Sequence, residues 1–466
     1  MIEKATKNQW ILFSIVTALY LAFVIWDGNY WLLLGILVIF DIYISKFIPW
    51  GAWKNPKDKT LKKIAEWVDA ILFALIAVYF INLFIFQMYK IPTSSLEKSL
   101  LVGDYLMVNK LSYGPRIPNT PLSFPLVQHT FPVINTKSYV EWPRWDYKRL
   151  KGLGKVKRND IVVFNYPAGD TVALKSPSSQ DYYTSVRQYG REHVWSDKKT
   201  FGNIVYRPVD RRENYVKRCI GMPGDSLQII DNEVYIDGNF LPMPKKAQLN
   251  YIVETNGSLW NDRQFRALDV SKDDRIELNR NPGLLEVLGI EKNPNGSYNP
   301  VYLLPLTQDA LQKIEKNGWA RSISTDPDNI FVGGDIYPYI DSLGWTRDNY
   351  GPIWIPKKGE TVELNEKNLA LYSRCIEAYE NNSLQKIDNV VMINKRPAKT
   401  YTFKYDYYFM MGDNRHNSQD SRSWGFVPED HIVGKPILIW LSTDKDRGFF
   451  NGGIRWKRIF RLPGSK

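Results

Sequence analysis

The stretch YKIPTSSLEKSLLVGDYLMVNK, Tyr89 to Lys110, places three hydroxyls, Thr93, Ser94 and Ser95, in a turn directly after a long apolar run. Farther along, NYVKRCIGMPGD sets Lys217 among Tyr215, Val216, Cys219 and Ile220, with Pro223-Gly224-Asp225 to close a strand. A serine hydroxyl becomes a useful nucleophile when a neighbouring base takes its proton, and a lysine can be that base only when neutral. Bringing a lysine pKa from ~10.4 toward ~8 requires burial against apolar walls and costs ~3 kcal/mol at ~1.36 kcal/mol per unit. The neighbours of Lys217 offer such walls, although a charged residue on a strand ordinarily faces solvent. Residue types alone leave Ser94 and Ser95 as alternatives.

Other nucleophile chemistry has less support. His129, His193, His416 and His431 are scattered, and no GxSxG elbow accompanies them. Cys219 and Cys375 allow at most one disulfide, and neither pairs with a histidine in metal-ligand spacing, so no metal site is expected.

The elements that must position these groups are mostly strands. GDYLMVNK, NDIVVFNYP, NYVKRCIGMPGD, SLQIIDNEVYIDGNFL, YTFKYDYYFMMGDN and KPILIWLS are rich in β-branched and aromatic residues. Asp237-Gly238 predicts a two-residue hairpin turn, because both positions need positive φ. Helical signal is sparse: Asn365–Glu380 puts Leu369, Tyr372, Ile376 and Tyr379 on one face with Asn365 as cap, and TQDALQKIEKNG is a shorter case ending in Gly318. The body is therefore expected to be mainly β, and a stretch from 241 to 400, rich in Pro, Gly and Asn, reads as an inserted mixed subdomain.

Before that body lie three apolar runs, Ile11–Trp26, Tyr30–Ile44 and Ala70–Met88. With their flanks they approach the ~20 residues a helix needs to cross ~30 Å of hydrocarbon, which predicts three spans. No small-x-small site follows the first, so it reads as retained. KFIPWGAWKNPKDKTLKK, between the second and third runs, is the basic loop expected to stay cytoplasmic, which puts everything after Tyr89 on the far side. Asp41 and Asp69 sit toward the cytoplasmic ends, near water and lysines. The net charge of +12 comes without a basic motif interleaved with aromatics, so attraction to lipid headgroups accounts for it better than nucleic acid.

Three blocks in order, IPTSSLEKSLLVGDYLMVNKLSYG, RNDIVVFNYP with NYVKRCIGMPGD, and MGDNRHNSQDSRSWGFVPE, resemble the signature boxes of the bacterial type I signal peptidases. The succession GDNR, NS, DSR and WGFVP is the most specific part, and IVGKPILIWLS follows it as in that family. The resemblance implies a membrane-bound serine endopeptidase, in the bacterial plasma membrane with its catalytic body outside, that removes signal peptides from secretory preproteins after Ala-x-Ala sites. It implies no cofactor, metal, nucleotide or nucleic acid. Ser95, three residues after Pro92, is the implied nucleophile, Lys217 its neutral general base, Thr93 an oxyanion donor and Ser418 the residue orienting the lysine. Ile91, Pro92, Leu96, Leu100, Tyr215 and Val216 are implied at the substrate pockets. Gly412, Asp413, Asn414, Arg415, Asp420 and Arg422 are implied as structural support.

Departures from the family pattern are Leu96, Glu97-Lys98, Ser99, RND in place of RGD, and His416 where an acid is frequent. None removes a hydroxyl or amine needed for catalysis. The expected domains are a 1–88 anchor, a catalytic core in two parts, 89–240 and 401–466, and the 241–400 insertion. A further stretch at about residues 168–213 also lies outside the motifs.

Overall fold

Thr6 and Gln9 form a capping box that starts helix Lys7–Asp27, and Gly28, at φ 71°, ends it. These are the first elements of the computed structural model, which describes residues 5–464 apart from 55, 135, 168, 170, 177–180, 328–334, 445–446 and 449–451. The chain divides into two units, Met1–Phe86 with Lys110–Gly154, and Gln87–Asn109 with Lys155–Lys466.

In the first unit, Asp58 caps helix Lys59–Phe84 by accepting from the Thr60 and Leu61 amides. This helix and Lys7–Asp27 are long and apolar enough to cross a membrane. The expected middle span is different. Tyr30–Leu34 is 3-10 helix, Gly35–Phe40 α-helix and Asp41–Ser45 π-helix. The whole apolar helix, Tyr30–Ser45, falls short of the ~20 residues of a span. Local polar chemistry limits it at both ends. The Asn29 side chain starts a tight turn by accepting from the Trp31 amide, and the Asp41 carboxylate winds the chain back by accepting from Phe47 N, Ile48 N and Trp50 Nε1. Two long apolar helices, not three, are thus present among the described residues. Asp69 meets Lys54 at 2.7 Å, so both acids have local partners.

The second unit is built on a seven-stranded sheet. Its strands are β1 (Phe86–Lys90), β2 (Asp104–Asn109), β3 (Ile161–Asn165), β4 (Asn214–Gly221), β5 (Tyr407–Met411), β6 (Val427–Pro428) and β7 (Ile432–Ser442), in the spatial order β1-β2-β7-β3-β4-β5-β6. Alternation in β2 buries Leu106 and Val108 on one face, whereas β3 and β5 are buried along their whole length, as central strands covered on both faces must be. Register brings the functional blocks together: Val162 faces Lys217 across β3 and β4, and Met411 faces Arg218 across β4 and β5.

Two four-stranded sheets and three smaller ones of two or three strands accompany the seven-stranded one among the described residues. In one of the four-stranded sheets, Tyr350–Trp354 pairs with Ser226–Ile230, which continues through Glu233–Ile236 to Asn239–Leu241. The last two strands join at Asp237-Gly238, with φ 51° and 78°, the expected hairpin turn. The other has the order Ile276–Glu277, Val301–Thr307, Gln248–Thr255, Ala320–Thr325, with helix Gln308–Lys316 against it. Asn365 caps helix Glu366–Arg374 as expected, and Tyr372, Ile376 and Tyr379 enter the largest core cluster. The 168–213 stretch begins outside the described residues and carries helices Tyr182–Tyr189 and Arg191–Ser196.

Candidate active site

The turn after β1 is pinned from below. Leu96 and Leu100 are fully buried, and the Leu96 carbonyl accepts from the Ser99 and Leu100 amides at 3.0 and 2.8 Å. This one turn of helix-like bonding holds Ser95 at the edge of an apolar cluster with its side chain 7% exposed. Lys217 reaches the same place from β4, at 3% exposure. Its Nζ lies 2.7 Å from Ser95 Oγ and 3.3 Å from the Val216 carbonyl. Burial pushes the Lys217 ammonium down to about 8, against the opposing pull of Asp420 and Asp413. The partner of the Ser95 hydroxyl is therefore an amine, and not a histidine.

The loop after β5 locks onto this pair. The Asn414 amide donates to the Ser95 carbonyl at 3.1 Å and Asn414 Nδ2 to the Ser94 carbonyl at 3.3 Å. A Cβ on Gly412 would lie 2.2 Å from Ser418 Oγ and 2.6 Å from the Ser95 carbonyl oxygen, so only glycine fits between them. Asp413, fully buried, accepts from Arg218 Nε and Nη2 at 2.7 and 2.6 Å and from Ser99 Oγ at 2.5 Å. Asp420 accepts from Arg422 Nε and Nη2 at 2.9 and 2.8 Å and from the Gly412 amide at 3.0 Å. Burial alone would raise the Asp420 carboxyl, but Arg422 and these donors bring it below the usual range. Arg415 is buried with Nε and Nη1 unpartnered among the described residues, and burial followed by the nearby Arg422 lowers its pKa to about 10.

The remaining sequence-predicted residues divide. Ile91, Leu96 and Leu100 pack in one apolar cluster with Val216 against it. Tyr215 joins a trio instead, stacked on Tyr166 at 4.5 Å and edge-on to Trp424 at 5.4 Å. Pro92 and Thr93 are exposed on the turn. Ser418 is buried close to Ser95, but its hydroxyl has no hydrogen-bond partner of normal geometry and faces Asp420, not Lys217. The lysine-orienting hydrogen bond implied for Ser418 is absent among the described residues. His416 is spent structurally: its Nδ1 accepts from the Asn250 amide and its Nε2 lies 3.1 Å from both Asn232 and Asp348.

Arg218, Ser99 and Gln248 were not anticipated as parts of the site. Gln248 joins it through a parallel bridge to Asn414. The signal for Arg218 is its place beside Lys217: strand alternation sends consecutive side chains to opposite faces, so a buried lysine obliges its neighbour to find a separate partner. Among the described residues no group of three or more His, Cys, Asp or Glu could hold a metal ion. Cys219 and Cys375 are buried free thiols.

Comparison with known proteins agrees with this geometry. The model of the signal peptidase family, peptidase S26, matches residues 64–281 and 355–441. Signal peptidase I of Buchnera aphidicola from Acyrthosiphon pisum is 26% identical over 87% of this chain and 83% of its own. The Buchnera aphidicola protein from Schizaphis graminum is 23% identical over 96% and 98%, and that of Haemophilus influenzae 22% identical over 87% and 78%. The matched family segments contain both Ser95 and Lys217 and the whole loop from Gly412 to Arg422, and on that match the chain belongs to the signal peptidase family, peptidase S26.

Proposed function

We propose that this signal peptidase is a membrane-anchored endopeptidase that cuts preproteins after small-x-small sites with Ser95 as nucleophile and Lys217 as neutral general base. The observation that carries the reading is the 2.7 Å approach of Lys217 Nζ to Ser95 Oγ in a site buried enough to bring the lysine to about 8. Ser95 Oγ attacks the scissile carbonyl as Lys217 takes its proton, forming a tetrahedral oxyanion whose collapse breaks the C–N bond and leaves the acyl-enzyme. Lys217 then gives that proton to the leaving amine and activates the water that hydrolyses the ester. The Ser95 amide has no acceptor among the described residues, and with the Thr93 hydroxyl it is assigned to the oxyanion. Such a donor is worth ~3 kcal/mol. Ser418 supports the lysine through the loop that carries it.

For substrate, β1 is the terminal strand of the sheet, so an extended peptide can add alongside it. The small side chains at the first and third positions before the cut are assigned to the surface of the apolar cluster of Ile91, Leu96, Leu100 and Val216, next in sequence to Ser95 and Lys217. Lys57 just before the helix that leads into β1, and Lys59, Lys62 and Lys63 in its first turns, support a cytoplasmic side for that end and an outside position for the catalytic body. The 241–400 stretch carries none of the proposed chemistry.

The test is cleavage, in nonionic detergent, of a preprotein with an Ala-x-Ala site. Ser95→Ala and Lys217→Ala are expected to be inactive and Ser94→Ala active; cleavage by Ser95→Ala would refute the assignment.

A further inference from the structure

A cleft of about 590 Å³ in the second unit takes Glu97, Lys98 and Leu101, just after Ser95, into a lining of ten lysines and arginines and five carboxylates. Two of those carboxylates are engaged locally: Asp262 holds Arg275 at 2.6 Å and Asp444 holds Arg455 at 3.4 Å. Lys98, Lys245, Arg266, Lys272 and Lys313 line the cleft and form no ion pair among the described residues. The positive field is felt inside it: burial, and then Arg458 and Arg461, hold the Lys246 ammonium below the usual lysine range.

One wall continues into a segment of a different character. Trp456, Phe460 and Leu462 are 73%, 75% and 65% exposed, on the same short stretch as the cleft residues Arg455 and Arg458. This stretch is fixed by backbone pairing, Ile439 N to the Arg461 carbonyl at 2.9 Å and Phe460 N to the Ile439 carbonyl at 2.7 Å. A cationic cleft bordered by exposed aromatic and aliphatic side chains matches a ligand with a phosphate at one end and hydrocarbon at the other. A free phosphate would leave the apolar border unused.

We propose that this cleft binds the headgroup of an anionic phospholipid, with Trp456, Phe460 and Leu462 meeting its acyl chains. The site rests on the membrane-anchored reading above and adds a route to regulation. Arg455 Nη1 donates to the Val102 carbonyl at 2.9 Å, and Arg458 Nη2 to the Ser99 carbonyl at 3.3 Å and to Asp104 at 2.6 Å. Both arginines thus brace the segment that runs from Ser95 to β2, and an occupied cleft braces them in turn.

Native mass spectrometry of the full chain released from nonionic detergent tests the site by counting retained dioleoyl phosphatidylglycerol and dioleoyl phosphatidylcholine. The wild type is expected to retain phosphatidylglycerol at least about tenfold better, and a triple variant with Lys245→Gln, Lys272→Gln and Lys313→Gln to lose that preference. Because all three lysines are exposed, the variant should fold. Trp456→Ala with Phe460→Ala should weaken lipid retention and leave glycerol phosphate binding unchanged. Equal retention of the two lipids, or a triple variant that still prefers phosphatidylglycerol, overturns the proposal. Competition by glycerol phosphate as strong as by the lipid, with no effect of the aromatic substitutions, overturns it in favour of a free-phosphate site. Peptide cleavage by the triple variant without added lipid is measured alongside: turnover equal to wild type separates failure of the lipid site from failure of the peptidase reading.

Discussion

Lys217 carries the sharpest prediction. In water its ammonium would lose its proton near 10.5; in the folded protein burial brings this to about 8. At pH 7 a group with that lowered value is neutral in roughly one molecule in ten, against roughly three in ten thousand for the unshifted value, a gain of ~300-fold or ~3 kcal/mol. If the neutral amine is the base, kcat/KM for an Ala-x-Ala peptide rises about tenfold per pH unit below about 8 and levels off above it. The same shift has a stability consequence with a definite sign. The unfolded chain holds this proton more tightly than the native protein, so stability rises with pH between the two values. Below about 8 the penalty is present in full, and it fades as pH approaches 10.5. Lys217→Met abolishes cleavage and removes the penalty, offset by the ~1 kcal/mol lost with the Ser95 hydrogen bond. The variant should therefore be more stable than wild type at pH 7 by ~2 kcal/mol, read by thermal denaturation, with the gain shrinking as the pH is raised. A flat pH profile between 6 and 9, or a Met variant that still cuts or is less stable at pH 7, would refute the reasoning.

Three substitutions probe the loop that holds the pair. Gly412→Ala puts a methyl group 2.2 Å from Ser418 Oγ and 2.6 Å from the Ser95 carbonyl, and displacement of the nucleophile turn should lower kcat/KM by about 100-fold or more. Asp413→Asn leaves Arg218 without its bidentate partner, and a loss of ~3 kcal/mol is expected in thermal denaturation. Ser418→Ala removes a buried hydroxyl that faces the Asp420 carboxylate, so a loss of ~1 kcal/mol is expected in thermal denaturation; an inflection in the pH profile that stays near its wild-type position would confirm that the hydroxyl does not tune Lys217.

Local pattern made much of this fold readable, and tertiary contact decided the rest. Asp237-Gly238 demanded its hairpin because no packing is needed to make two positive φ angles in succession, and Asn365 announced its helix because a cap acts within one turn. The second apolar run looked like a span because hydropathy counts residues and not geometry: the carboxylate of Asp41, counted as one polar residue, gathers four donors from Ser45, Phe47, Ile48 and Trp50 and ends the helix early. Lys217 posed the opposite difficulty. Strand alternation puts it on one face with Tyr215 and Cys219, but its burial there depends on what packs against it, including the distant turn that carries Ser95. The three signature blocks named the participants; they said nothing of Arg218, whose partner Asp413 lies in another block. Nor could the family pattern foresee that the Ser418 hydroxyl faces Asp420.

The two acid–arginine pairs explain how burial can bring the Lys217 ammonium down to about 8 beside two carboxylates. Asp413 and Asp420 anchor the loop that Ser95 leans on, yet both oppose the burial that lowers the Lys217 pKa, because a negative charge nearby favours the ammonium. Each is met by a guanidinium through two hydrogen bonds, Arg218 on Asp413 and Arg422 on Asp420, so the site keeps the anchoring geometry of a carboxylate while much of its field is cancelled. A lysine in the place of either arginine would supply the charge but not the planar fork, and the carboxylate would turn part of its field toward the base. Arg218 sits beside Lys217 in the middle of β4: one strand delivers the lysine on one face and, from the next residue on the other face, the cation that restrains the acid opposing its lowered pKa.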